Sequence, residues 1–149
     1  MTQENKELLL RDLCTRLPYD LMVDYKGESY NVLGITHGRL VLCKPFMSHT
    51  LNECPLVKEV KPYLFPLSSM TEEQWKELRN LIYEDFTLDE EFNEGLCYKT
   101  YGDILVWLDE KPINECYFIF DYFNKNHFDY RGLIEKSLAL DATNLGIYE

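Results

Sequence analysis

The chain has 149 residues, 46% apolar and 14% aromatic, with 26 acidic against 15 basic side chains and a formal charge of −11. That length suits one domain, and the apolar content suffices for a core, which excludes wholesale disorder. Residues 1–67 carry eight acids and eight bases, and residues 68–149 carry eighteen acids and seven bases. The whole negative field therefore belongs to the second half, which disfavours direct nucleic-acid binding and anionic membranes.

No apolar run approaches the roughly 18–20 residues that span a bilayer. The polar start, Met1 to Glu7, lacks the basic, apolar and small-residue regions of a secretory signal, so the expected compartment is the cytoplasm. Cys14, Cys43, Cys54, Cys97 and Cys116 are odd in number and scattered, with no pair at the spacing of a zinc or redox motif. They read as small core residues in a reducing compartment.

Leu9, Leu10, Leu13, Cys14 and Leu17 recur at helical spacing and predict a helix over 6–17, closed by Pro18, with Arg11, Asp12 and Arg16 on its other faces. The period then changes. Leu21, Val23 and Tyr25 alternate with polar residues, Gly27-Glu28 turns, Tyr30 to Ile35 alternates again, His37-Gly38 turns, and Arg39 to Lys44 follows. This is an antiparallel meander in need of a partner layer, for which the first helix is the nearest candidate. An irregular loop is expected over 45–55, with a fourth strand at Leu56 to Val60. Pro62 and Pro66 bracket Tyr63-Leu64-Phe65, which reads as an extended surface connector.

Thr71 with Gln74 three residues on is a capping box, and Glu72 and Glu73 fall where a helix start favours anions. The helix that follows is expected to bury Trp75, Leu78, Leu81 and Ile82 and to end near Phe86. Glu84, Asp85, Asp89, Glu90, Glu91 and Glu94 then follow without a base. The register of a calcium loop is absent, so the run reads as a solvated acidic loop or a docking patch for a basic partner, centred on Asp89, Glu90 and Glu91. Residues 98–110 fit either a short buried helix or a strand.

Tyr117, Phe118, Phe120, Tyr122, Phe123, Phe128 and Tyr130 place seven rings within fourteen residues. Pro112 suits a first helical position, and Ile113 to Phe123 reads as a helix whose Ile113, Cys116, Phe120 and Phe123 share one face, with Tyr117 beside them. So many rings suit either the centre of the fold or a second copy of the chain in a twofold homodimer. Beyond the Asn124-Lys125-Asn126 break lies the candidate ligand site. There Arg131 offers a fork for carboxylate or phosphate, Tyr130 a stacking ring, and His127 and Asp129 a donor and an acceptor. The competing reading makes Asp129 the cap of a helix starting at Tyr130-Arg131, with Arg131 paired to nearby acids.

Two segments carry a resemblance. Lys61 to Glu73 (KPYLFPLSSMTEE) and Asn126 to Lys136 (NHFDYRGLIEK), 24 residues in all, resemble a family of small uncharacterised proteins from phage and prophage-like regions of gut bacterial genomes. The resemblance implies a phage or mobile-element setting and transfers no catalytic residue.

The expected fold is α+β: a small antiparallel sheet or open barrel from the N-terminal half, packed against helices of the C-terminal half. One domain is expected over 1–149, strand-rich at 18–67 and helix-rich at 71–142. No phosphate loop, metal-binding histidine pair or nucleophile elbow occurs, so no catalytic residue, metal or cofactor is assigned. The expectation is a non-catalytic binding protein, an anti-defence candidate that occupies a host protein through an acidic, aromatic surface. The alternatives are a binder that sequesters a nucleotide-like signal and a hydrolase without a recognisable motif.

Overall fold

Thr2 opens the first helix, its hydroxyl accepting from the Asn5 N–H at 3.1 Å and so filling one of the donors a helix start leaves open. The structure is a computed structural model that describes residues 1–45, 53–85 and 113–149. Helix α1 spans Gln3–Arg16, and Pro18 follows in a 3-10 turn, Leu17–Tyr19, where its lost N–H is not needed. The meander is present as β1 (Met22–Tyr25), β2 (Glu28–Thr36) and β3 (Arg39–Cys43), paired antiparallel in sequence. The first turn is centred on Lys26-Gly27, one residue earlier than expected, with φ of 55° and 81°. His37-Gly38, with φ of 49° and 72°, makes the second. Left-handed geometry at both central residues matches the twist of the flanking strands.

The region after the meander corrects two expectations. Leu56 to Val60 is not a strand: Val57–Glu59 forms a 3-10 turn, tied by the Leu56 N–H to Glu59 Oε2 at 2.7 Å. The strand is instead β4, Lys61–Pro66, expected to be a surface connector and found at the centre of the sheet. It pairs antiparallel with β1 and parallel with β5 (Phe128–Asp129) and β6 (Leu140–Asp141). Each partner engages only two residues of β4, so the missing N–H of Pro62 or Pro66 falls at the end of a short pairing and interrupts no ladder. Neighbouring residues aim their backbone groups at opposite edges. Thus the Leu64 carbonyl takes the Ala142 N–H at 2.9 Å, while the Phe65 N–H donates to the His127 carbonyl at 2.9 Å.

The result is an α+β fold with a six-stranded, mostly antiparallel open sheet in the order β3-β2-β1-β4-β5, with β6 also on β4. Two of its strands come from the second half of the chain. The outer edge of β3 is covered by the 53–55 segment, whose Pro55 and Glu53 carbonyls accept from Leu40 and Leu42.

The described residues fall into two compact units, Met1–Pro66 with Asn124–Glu149, and Leu67–Phe123. The first holds the whole sheet, with α1 as the partner layer expected for it. Leu9 and Leu13 of α1 are fully buried against Leu21, Val23, Leu40, Leu42, Leu64 and Leu133. Each such leucine contributes about 1.5–3 kcal/mol through removal from water. Two details differ from the expected helix face. Asp12 and Arg16 are completely buried, and Cys14 is exposed, as is Cys54; Cys43 is buried as expected.

In the second unit, α2 spans Glu72–Asp85 behind the expected capping box: the Gln74 N–H donates to Thr71 Oγ1 at 3.2 Å and the Thr71 N–H to Gln74 Oε1 at 2.9 Å. Leu78 is fully buried, whereas Trp75 and Leu81 are half-buried. Helix α3 runs Ile113–Lys125, its last two residues belonging to the first unit. Its buried stripe is Ile119, Tyr122 and Phe123, at i, i+3 and i+4, while Phe120 is half-buried and Tyr117 is 63% exposed. The Tyr122 hydroxyl donates to the Gln74 carbonyl at 2.9 Å and lies 3.1 Å from Glu77 Oε2; burial, with Glu77 beside it, raises its pKa. No helix among the described residues is long and apolar enough to cross a membrane. Residues 46–52, with His49, and 86–112, with Asp89, Glu90, Glu91, Cys97 and the 98–110 segment, lie outside the described residues.

Candidate functional site

The segment after α3 is built by one turn and one carboxylate. His127 adopts φ 57°, a left-handed conformation that histidine tolerates better than most residues, and its N–H donates back to the Asn124 carbonyl at 3.2 Å. That reversal sends Phe128 and Asp129 into β5. Asp129 then accepts from the Leu133 N–H through Oδ1 at 2.9 Å and from the Ile134 N–H through Oδ2 at 2.7 Å. The capping role weighed for Asp129 is present, but what it caps is not a helix. Gly132 at φ 69° and Ser137 at φ 58° leave four residues between two left-handed positions. Only a single turn fits, closed by the Leu138 N–H on the Leu133 carbonyl at 2.9 Å.

Arg131 and Tyr130 meet a pair that the sequence had placed elsewhere. Asp12 and Arg16, four residues apart on α1, form a fully buried bidentate ion pair: Nε to Oδ2 at 2.8 Å and Nη2 to Oδ1 at 3.0 Å. Arg16 Nη2 also donates to the Phe128 carbonyl at 2.7 Å, fastening α1 to β5. The Arg131 Nη1 faces the same Asp12 carboxylate at 3.7 Å, within reach of its charge but beyond a hydrogen bond. That Nη1 is buried with no hydrogen-bond partner. The guanidinium carbons of Arg131 and Arg16 lie 5.0 and 5.6 Å from the centre of the Tyr130 ring, at cation–π range. The Tyr130 hydroxyl donates to Asn124 Oδ1 at 3.1 Å.

His127 is turned away from this cluster's hydrogen bonds. Its ring stacks on Tyr148 with centroids 4.0 Å apart and planes 11° from parallel, and its buried Nδ1 has no hydrogen-bond partner. Burial pushes its pKa down to about 4, with the Arg16 guanidinium adding repulsion, so the ring is neutral at pH 7. Tyr148 is itself anchored: its hydroxyl donates to the Tyr63 carbonyl at 2.8 Å and accepts from the Met22 N–H at 3.3 Å, and burial raises its pKa.

The structure therefore brings all four predicted residues, His127, Asp129, Tyr130 and Arg131, into one neighbourhood and adds Asp12, Arg16, Asn124 and Tyr148, which sequence reasoning missed. Chemically, one carboxylate is shared by two guanidiniums and the other holds two backbone N–H groups. Among the described residues there is no group of three histidine, cysteine or carboxylate side chains that could hold a metal ion. Asp89, Glu90 and Glu91, the predicted partner-binding acids, lie outside the described residues. Comparison with protein-family models, with curated proteins and with solved structures finds no match to this chain.

Proposed function

We propose that this chain is a non-catalytic binding protein of phage or mobile-element type, occupying a basic host protein through an acidic, aromatic surface, in keeping with an anti-defence role. One observation carries the reading: at 127–131 the Asp129 carboxylate is held by the fold's own backbone and the His127 ring is buried. Asp129 uses both oxygens on backbone N–H groups, His127 is buried and neutral against Tyr148, and Arg131 faces Asp12. A general base needs a lone pair within reach of a substrate; the Asp129 oxygens accept from backbone N–H groups, and the His127 Nδ1, though without a hydrogen-bond partner, is buried. The excess of eleven acids over bases in residues 68–149 favours a basic partner and speeds its encounter. The exposed Tyr117, edge-on to Phe118 at 6.1 Å, supplies an aromatic contact of the kind that anchors interfaces.

The test is capture from host extract with tagged protein. A single basic protein is expected to be retained, and lost when Asp89→Asn, Glu90→Gln and Glu91→Gln are combined. Equal retention by the triple variant, or turnover of any bound compound, refutes the reading. A nucleotide-like ligand held by Tyr130 and Arg131 has weaker support, because the Arg131 guanidinium already lies over the Tyr130 ring. A thermal-shift titration with nucleotides and cyclic nucleotides separates the two: a concentration-dependent rise, abolished by Arg131→Ala, would favour the nucleotide.

A further inference from the structure

The sheet of the first unit has two faces, and only one is filled by α1. Side chains alternate along a strand, so Val23, Tyr25, Tyr30 and Val32 enter the core beside Leu9 and Leu13. Met22, Ser29 and Asn31 turn to the opposite face, where Met22 pairs with Asn31 across β1 and β2. The C-terminal residues cover part of that face: Ala142 and Ile147 pack with Met22 and Tyr63, and Tyr148 is tied to Met22 and Tyr63 by its hydroxyl. Beside this covered strip lies an open groove of about 520 Å³, a volume within the range of ligand sites.

Its lining combines three chemistries. Met22 and Tyr148 offer apolar surface, Ser29 and Asn31 offer neutral hydrogen-bonding groups, and the exposed Asp20 and Glu149 offer two carboxylates. No lysine or arginine is among the described residues that line it. An anionic ligand would meet two like charges there, and a cationic one two opposite charges.

We infer that this groove receives a lysine or arginine side chain of the partner polypeptide. The aliphatic stem lies on Met22 and Tyr148, the cation sits between Asp20 and Glu149, and Asn31 and Ser29 accept its N–H groups. Long basic side chains suit such a site because they bury a stem while the charged head stays among polar groups. The inference rests on the binding-protein reading and gives its partner a specific point of contact.

The experiment is an NMR titration of the full ¹⁵N-labelled chain with a short peptide alternating arginine and leucine, against a control alternating glutamine and leucine. Amide signals of Ser29, Asn31, Gly146 and Tyr148 are expected to shift saturably with the arginine peptide alone. Combining Asp20→Asn with Glu149→Gln, both at exposed positions, is expected to weaken binding about fivefold. Unmoved groove signals, or unchanged affinity in the double variant, overturn the inference. The two readings fail separately. Host capture that is lost with the Asp89, Glu90 and Glu91 substitutions, while the groove stays silent to peptide, removes the groove and leaves the binding reading. Saturable groove shifts with no host protein retained do the reverse.

Discussion

His127 should make this protein acid-sensitive in a calculable way. The residue is 7% exposed, its ring is stacked on Tyr148, and it feels the charge of the Arg16 guanidinium, which is itself paired with Asp12. The folded pKa is about 4 and the unfolded value about 6.5. Above pH 6.5 the ring is neutral in both states and the contribution is fully present. Between these values the unfolded chain takes up a proton that the folded chain refuses, so stability falls as pH falls, with a limiting slope of about 1.4 kcal/mol per pH unit. The gap amounts to about 3 kcal/mol, a large share of the roughly 5–15 kcal/mol typical of a domain. Urea unfolding at a series of pH values between neutrality and pH 4 measures it, with His127→Phe as the reference. Phenylalanine keeps a ring for Tyr148 and cannot titrate. Its strain at φ 57° lowers stability equally at every pH and cancels in the comparison. The wild type is expected to lose about 3 kcal/mol more than the variant over that range. Parallel curves, or a His127 ring proton titrating near its ordinary value, refute the argument.

Further substitutions at Asp12, Arg16, Asp129 and Tyr148 probe the same unit, each read by denaturant midpoint. Asp12→Ala leaves Arg16 buried without its carboxylate, removes the carboxylate that the partly exposed Arg131 faces, and is expected to cost about 3–5 kcal/mol. Asp12→Leu with Arg16→Met should cost less than Asp12→Ala, though not nothing, because the Phe128 carbonyl loses its donor. Asp129→Ala strips the acceptors from the Leu133 and Ile134 N–H groups and should cost about 2–3 kcal/mol, with Asp129→Asn recovering part of it. Tyr148→Phe should cost about 1–2 kcal/mol through the Tyr63 and Met22 bonds, while leaving the His127 ring stacked and its pKa low.

Local chemistry made much of the fold legible. The meander follows from alternation and two glycine turns, and α2 from a capping box whose two hydrogen bonds are both formed. What escaped were features decided by partners distant in sequence. Nothing local distinguishes β4 from an extended connector, because its place in the sheet depends on Phe128 and Leu140, more than sixty residues away. The helix expected from Tyr130 has the right apolar spacing. It is refused by two left-handed residues, of which Gly132 was a visible signal and Ser137 was not.

The site shows the same division, with one instructive exception. His127, Asp129, Tyr130 and Arg131 could be picked out as a group, but their roles could not, since a carboxylate on two N–H groups and a carboxylate at a ligand look alike in sequence. Asp12 and Arg16 were legible and were passed over. Leu9, Asp12, Leu13 and Arg16 stand at i, i+3, i+4 and i+7, one stripe of a helix, and that stripe is the buried one. Assigning the face by hydrophobicity alone moved it toward Leu10 and Cys14, because charged residues were assumed to face water. An opposite-charge pair spaced to neutralise itself across one turn is the case in which that assumption fails. Here the pair meets the Phe128 carbonyl, which accepts from Arg16 Nη2 beside its bond to Asp12. A buried pair gains little stability over an apolar one of equal volume. What it provides is position: the paired Arg16 guanidinium fastens α1 to β5 through the Phe128 carbonyl, and a register shift of β5 would take that acceptor away from a buried donor.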